Sequence, residues 1–290
     1  IQMEYILNNL NEKIAKKIFG NKSNAIIFLT RLFDESNSPY EKTIMDKMKS
    51  SEIWKLIIKH WNYQKALPII REIFKESKKF QNGLESEKAI DKLLEEWTTL
   101  KLGEVEWPCS QGDFDGFVQR INALSESGII KDEKVKIAAV KYRRLKELNT
   151  VRNDFIETLI FLKNEEILPT INHSRGTDFY IRGISYDQKV AKSPTNQFKA
   201  KFGQNWRDEA INNPSLVAQY LYEYQDEGRF GSDPRLFIVY LDENIPIFKI
   251  KEQIKQLNLE KPLEITFEYK HKNVGLKAYK TTCYVILLSK

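Results

Sequence analysis

Cysteine, histidine and long apolar runs are the scarce features of this chain. Its two cysteines, Cys109 and Cys283, exclude a disulfide framework and a zinc site built from thiolates, and they suit a reducing cytoplasm. Its three histidines, His60, His173 and His271, lack the spacing of paired metal ligands. No apolar run approaches the roughly 18 residues that cross a membrane. No apolar stretch follows Ile1-Gln2-Met3 as a signal peptide requires, and Met3 is expected to be the natural start. What is present is the composition of a globular protein: 41% hydrophobic and 30% charged residues exclude disorder. A length of 290 residues suits one large domain or two modest ones. The net charge of +6 admits a polyanionic partner, but with 46 basic residues against 40 acidic ones any basic patch must come from arrangement.

The first hundred residues read as helices. Tyr5, Ile6, Leu10, Ile14 and Ile18 recur at helical spacing up to Gly20 and predict one amphipathic helix. Further helices are predicted over 24–33, from Pro39 to 49, from Ser51 onward, over 66–79 with Pro68 in its first turn, and over 86–100. The span 102–117, with Pro108 and several glycines, breaks this pattern and reads as a linker. Within it Asp113 and Asp115 match only part of a calcium loop, and Cys109 has no neighbouring histidine to activate it and is read as a buried thiol. Helices return over 114–125 and 132–147. The second is basic, through Lys134, Lys136, Lys141, Arg143, Arg144 and Lys146, which is either a solvated face or a phosphate-contacting one. These spans predict a helical domain over 1–105 and a second domain over 106–290.

The chemistry gathers in residues 176–189. Two short strands, 177–181 and 184–190, flank a turn at Arg182-Gly183. Alternation puts Phe179 and Ile181 on one face and Asp178 and Tyr180 on the other. Asp187 and Lys189 are two apart and share a face, and Asp178 opens the neighbouring strand within reach of both. Two carboxylates can hold a hard divalent cation through oxygen. An ammonium beside them can orient a water or offset charge on a phosphate. The plain structural alternative is an ion pair on a sheet. Upstream, 149–163 reads as a helix with Val151, Phe155, Leu159 and Leu162 on one side, followed by a strand at 168–172. Downstream, Leu236-Phe237-Ile238-Val239-Tyr240-Leu241 reads as a buried central strand, then a helix at 247–257 and two paired strands at the end of the chain.

Asp178, eight intervening residues and Asp187-Gln188-Lys189 resemble the motif of the PD-(D/E)XK nuclease superfamily, which includes most type II restriction endonucleases. The resemblance spans about 150–242, and Thr177 stands where the family motif has proline. The order helix, strand, acidic strand, DxK strand, helix, buried strand is also that of the family core. The resemblance implies an α/β (α+β) fold: an N-terminal helical domain, then a restriction-endonuclease-like mixed-sheet core flanked by helices and ending in a C-terminal hairpin. It implies Mg²⁺, with Mn²⁺ as a substitute, held by Asp178, Asp187 and the backbone carbonyl of Gln188. Lys189 would position or deprotonate the attacking water. Glu157 matches the place of an additional metal-binding glutamate, with Asp154 its nearest competitor. The expected activity is sequence-specific hydrolysis of double-stranded DNA by a cytoplasmic homodimer with no membrane association, as in restriction-modification. The alternatives are a repair or anti-phage defence nuclease of the same superfamily without strict sequence specificity, and a non-catalytic DNA-binding protein.

Candidate DNA contacts surround the motif. Arg175, in the loop before Asp178, is a possible phosphate clamp. Lys192, Ser193, Thr195, Asn196, Gln197, Lys199 and Lys201 form a polar, basic segment directly after the DxK strand. Phe198, Phe202 and Trp206 within it recur at i, i+4, i+8 and read as core. Lys270, Lys272 and Asn273 sit at a basic hairpin tip, which either enters a groove or keeps a sheet edge soluble.

Overall fold

A computed structural model describes residues 5–34, 40–104, 111–174, 176–225, 231–242 and 245–290. Arg175, Cys109 and residues 226–230 lie outside the described residues. The chain is mixed α and β and divides into two compact units, Ile1–Gln81 with Leu159–Lys290, and Asn82–Thr158.

The first unit is built on a six-stranded sheet: β1 (Ile167–Ser174), β2 (Thr177–Ile181), β3 (Ile184–Ala191), β4 (Arg235–Tyr240), β5 (Leu263–His271) and β6 (Gly275–Leu288), in the order β1-β2-β3-β4-β6-β5. β1, β2 and β3 form an antiparallel meander. β4 runs parallel to β3, β6 parallel to β4, and β5 antiparallel to β6. The expected turn between β2 and β3 is there, with Arg182 at φ 49 and Gly183 at φ 82, the left-handed pair that a two-residue hairpin demands.

The N-terminal helices do not stand apart as a helical domain. α1 (Glu12–Phe19), α2 (Lys22–Asp34), α3 (Lys42–Lys47), α4 (Ser50–Lys59) and α5 (Tyr63–Glu76) share one core with the sheet, in which Ile14, Phe28, Trp54 and Ile70 pack with Leu168 and Tyr180. An amphipathic stripe alone does not reveal what it packs against, and here α1 and α5 lie on β1. The first helix also begins later than its apolar spacing predicts. Asn11 caps it by accepting the Ile14 N–H at 2.9 Å. Residues before it are extended: Tyr5 bridges Ile184, and the Ile6 N–H donates to the Gly183 carbonyl at 2.9 Å. α5 begins at Tyr63, so Pro68 lies in its second turn and not its first.

The second unit takes α6 (Lys78–Thr99) from Asn82 onward, α7 (Gln111–Asn122), and α8 (Gly128–Lys163) as far as Thr158. The two helices predicted over 132–147 and 149–163 are one, because no glycine or proline interrupts the chain between Gly128 and Pro169. Asp113 lies in the first turn of α7, which replaces the partial calcium loop with a helix. Within this unit Phe114 stacks on Tyr142 with centroids 5.9 Å apart, and Arg144 pairs with Glu96.

Back in the first unit, α9 (Asn196–Phe202), α10 (Trp206–Asn212) and α11 (Pro214–Glu223) cover one face of β4, β5 and β6. Phe198, Val217 and Tyr222 pack with Phe237, Val239 and Phe267, and Phe202 and Trp206 join them, as their spacing predicts. α12 (Ile247–Lys255) packs on β6 and buries Ile250 and Ile254. The Tyr284 hydroxyl donates to the Leu259 carbonyl at 3.0 Å just beyond it.

Candidate active site

Strand register decides which side chains meet. β2 and β3 pair Phe179 with Tyr186, Tyr180 with Ser185 and Ile181 with Ile184. One step further along the same register sets Asp178 opposite Asp187, and directly opposed residues point to the same face. β3 and β4 pair Asp187 with Arg235 and Lys189 with Phe237. Asp178, Asp187 and Arg235 thus form a row across three strands, with Lys189 one step along on the same face. The face is the one that carries Phe237 and Val239 under α11, and Tyr180 in the core of the N-terminal helices.

The hydrogen bonds fix both carboxylates. The Gln188 N–H donates to Asp178 Oδ2 at 2.6 Å. Lys189 Nζ lies 2.6 Å from Asp187 Oδ2, and Arg235 Nη1 lies 2.8 Å from that same oxygen. The Asp187 side chain is 9% exposed and that of Arg235 5%, whereas that of Lys189 is 45% exposed. Burial pushes the Asp178 carboxyl above its usual range. The Gln188 N–H opposes this, the Asp187 charge adds to it, and the nearby Lys79 and Lys189 charges pull it back.

Three basic residues that sequence reasoning missed stand around this row. Arg235 opens β4 and is buried. Its signal in the sequence is a lone cation at the mouth of an apolar strand, where a buried charge requires a counter-ion. Lys17 of α1 donates to Thr177 Oγ1 at 3.3 Å, beside Asp178. Lys79 at the start of α6 acts on the Asp178 charge. Neither was legible, because both belong to helices expected in another domain.

The expected DNA contacts separate. Lys192, Asn196, Gln197 and Lys201 are exposed just beyond β3, and Ser193, Thr195 and Lys199 are half-buried. Thr195 caps α9 by accepting the Phe198 N–H at 3.2 Å. Lys199 lies over the Trp206 ring at 5.1 Å and Lys201 over Tyr220 at 5.6 Å, so their stems cover the aromatic layer while their charges stay near the surface. Lys270, Lys272 and Asn273 are also exposed, but elsewhere. Cys283 aligns with Arg235, and Gly275 precedes it by eight residues along β6, away from Lys189, which lies on the other side of the Asp187 row. Arg175 lies outside the described residues. Glu157 and Asp154 fall in the Asn82–Thr158 unit on α8, where Glu157 is buried and Asp154 half-buried.

Among the described residues no group of three or more His, Cys, Asp or Glu side chains is gathered as a ready metal cage. Two carboxylates nonetheless suit Mg²⁺, which keeps several waters and takes one or two protein carboxylates together with substrate phosphates. A groove of about 480 Å³, lined by Lys163, Glu166, Arg182, Gln256, Asn258 and their neighbours, lies at the turn end of the β2–β3 hairpin, removed from the row. Comparison of the chain with protein-family models, with curated proteins and with solved structures finds no match.

Proposed function

We propose that this protein is a magnesium-dependent endonuclease that hydrolyses phosphodiester bonds of double-stranded DNA, of the PD-(D/E)XK kind and acting as a sequence-specific restriction enzyme. One observation carries the reading: Asp178, Asp187 and Lys189 share a face of the β2–β3 hairpin, whose second strand pairs with a parallel β4. Asp178 and Asp187 would hold the metal, joined by the Gln188 carbonyl. A bound Mg²⁺ would lower the pKa of its water and offset charge on the phosphate. Lys189 would leave Asp187 Oδ2 to orient the attacking water or take its proton. The Gln188 N–H keeps Asp178 turned toward β3 throughout. Lys192 and Lys199, just past β3, would hold flanking phosphates. Cleavage of both strands at a palindrome would call for a homodimer.

The Asp187–Arg235 pair also suits a second reading, a protein that binds DNA without cutting it, since an ion pair between β3 and β4 needs no catalytic role. Incubating the chain with unmethylated phage DNA, with Mg²⁺ and with EDTA, separates the two. Sharp Mg²⁺-dependent bands are expected from the unaltered chain. Lys189→Ala should lose about 10²–10⁴-fold in rate, the range of a positioned acid or base. An Asp187→Ala protein that still cuts DNA would end the nuclease reading. Salt-dependent binding without cleavage in any divalent metal would support the second.

A further inference from the structure

Asp187 has two cations on one oxygen. Lys189 and Arg235 both reach Oδ2, at 2.6 and 2.8 Å, but their surroundings differ. Arg235 is 5% exposed, and its backbone is locked in the parallel ladder opposite Asp187. Its other terminal nitrogen, Nη2, lies 3.8 Å from Asp233 Oδ2. The chain at Asp233 is itself tied down by the Tyr222 hydroxyl, which donates to the Asp233 carbonyl at 2.8 Å. Tyr222 is fully buried, with Phe237 and Phe267 against its ring. Lys189 has none of these restraints. Its side chain is 45% exposed, near the outer end of β3.

We propose that Arg235 is the fixed counter-ion of the candidate site and Lys189 the exchangeable one, so that Arg235 is a positioning residue for Asp187 and sets Lys189 free for the substrate. A nearly buried carboxylate cannot be left without a cation at small cost. Were Lys189 its sole partner, departure of the ammonium would strand that charge and Lys189 would be held fast. With Arg235 in place, the departure breaks only a half-exposed pair, which contributes little. The inference deepens the nuclease reading of this site. Its physical core, the division between a fixed and a mobile cation, is measurable without DNA or metal.

The test is lysine acylation of the full chain by an amine-reactive ester, mapped by mass spectrometry. Lys192, exposed just beyond β3, serves as the internal reference. In the unaltered protein Lys189 should react within about threefold of Lys192, as expected of a weakly held surface ammonium. In Arg235→Gln it should become at least about fivefold less reactive, because it is now the only cation on a buried carboxylate. Arg235→Lys, which returns a cation, should restore part of the reactivity. Cleavage kinetics then join the inference to function: Arg235→Gln should lower kcat while KM for DNA stays within about threefold, since the residue touches neither phosphate nor base. Lys189 already about tenfold slower than Lys192 in the unaltered protein overturns the proposal, and that measurement needs no variant to fold. So does unchanged Lys189 reactivity in a folded Arg235→Gln protein. If the acylation pattern appears but the protein never cuts DNA, the counter-ion assignment stands and the nuclease reading falls. If cleavage depends on Asp187 and Lys189 but the pattern is absent, the reverse holds.

Discussion

Removing Arg235 should cost much more stability than removing Lys189, although both side chains bind the same oxygen of Asp187. Deleting one partner of a buried ion pair costs about 3–5 kcal/mol, because the other charge stays buried. In Arg235→Met, Lys189 still reaches Asp187 at 2.6 Å, so the lower end applies, about 3 kcal/mol. Lys189 is 45% exposed, and its loss leaves Arg235 in place. Lys189→Met should therefore cost about 0.5 kcal/mol, the scale of an exposed pair. The double variant Asp187→Asn/Arg235→Met removes both charges and should be less destabilised than the sum of the single variants by about 2 kcal/mol. Urea unfolding followed by circular dichroism measures the parent, Asp187→Asn, Arg235→Met, Lys189→Met and the double variant. Cleavage assays on the same samples should show Lys189→Met inactive yet nearly as stable as the parent. If Lys189→Met is destabilised as much as Arg235→Met, or the double variant shows no coupling, the division between a buried and an exposed cation is wrong.

Two further outcomes test the frame that carries the site. Asp242 is held by both terminal nitrogens of Arg207, at 2.6 and 2.7 Å, and by the Lys290 N–H at 2.7 Å, which together pull its carboxyl down to about 2. A depressed carboxyl adds stability above its unfolded pKa and loses it as pH falls toward the folded value. Asp242→Asn should cost about 1 kcal/mol at neutral pH, discounted for solvent screening, and the urea midpoints of the two proteins should converge as pH drops from about 5 to about 2. Gly183 sits at φ 82, and a Cβ there would lie 2.6 Å from Leu7 Cγ. Gly183→Ala should cost about 2 kcal/mol, read as a fall in the urea midpoint, and an unchanged midpoint would mean that the N-terminal strap does not press on the hairpin.

The site was legible where its residues are local. Asp178, Asp187 and Lys189 lie within one hairpin, and period-two alternation plus the Arg182-Gly183 turn suffices to bring them together. The core spacing of Phe198, Phe202 and Trp206 was legible for the same reason, since one helical period carries it. Arg235 was not, because its partner lies 48 residues away and only the parallel pairing of β3 and β4 brings them together. Lys17 and Lys79 are more remote still, and amphipathic helices do not state which surface they cover. The same ignorance moved the domain boundary: a helical stripe that packs on a strand reads in sequence like one that packs on another helix. Tyr5 and Ile6 failed differently. Their spacing fits a helix, but Asn11 offers a cap that starts the helix later, and the unpaired end of the β2–β3 hairpin offers backbone partners in its place.

Register also constrains where nucleic acid would lie. From Cys283, level with Arg235, back to Gly275 the chain runs eight residues, about 27 Å at 3.4 Å per residue. B-form DNA rises about 3.4 Å per base pair, so that distance matches about eight base pairs. A duplex seated on Lys189, Lys192 and Lys199 meets Lys270 and Lys272 only if its axis follows the strands across the whole sheet face. Between the two groups that face is occupied by α11, whose Tyr222 packs on Phe267 with centroids 4.8 Å apart. A duplex on that line would ride over α11 and not in a cleft. The segment 192–201 is therefore the basic surface that belongs with the carboxylates. The hairpin tip, with Val274 63% and Leu276 61% exposed beside its lysines, is a separate surface whose substitution should leave the chemistry at Asp187 untouched.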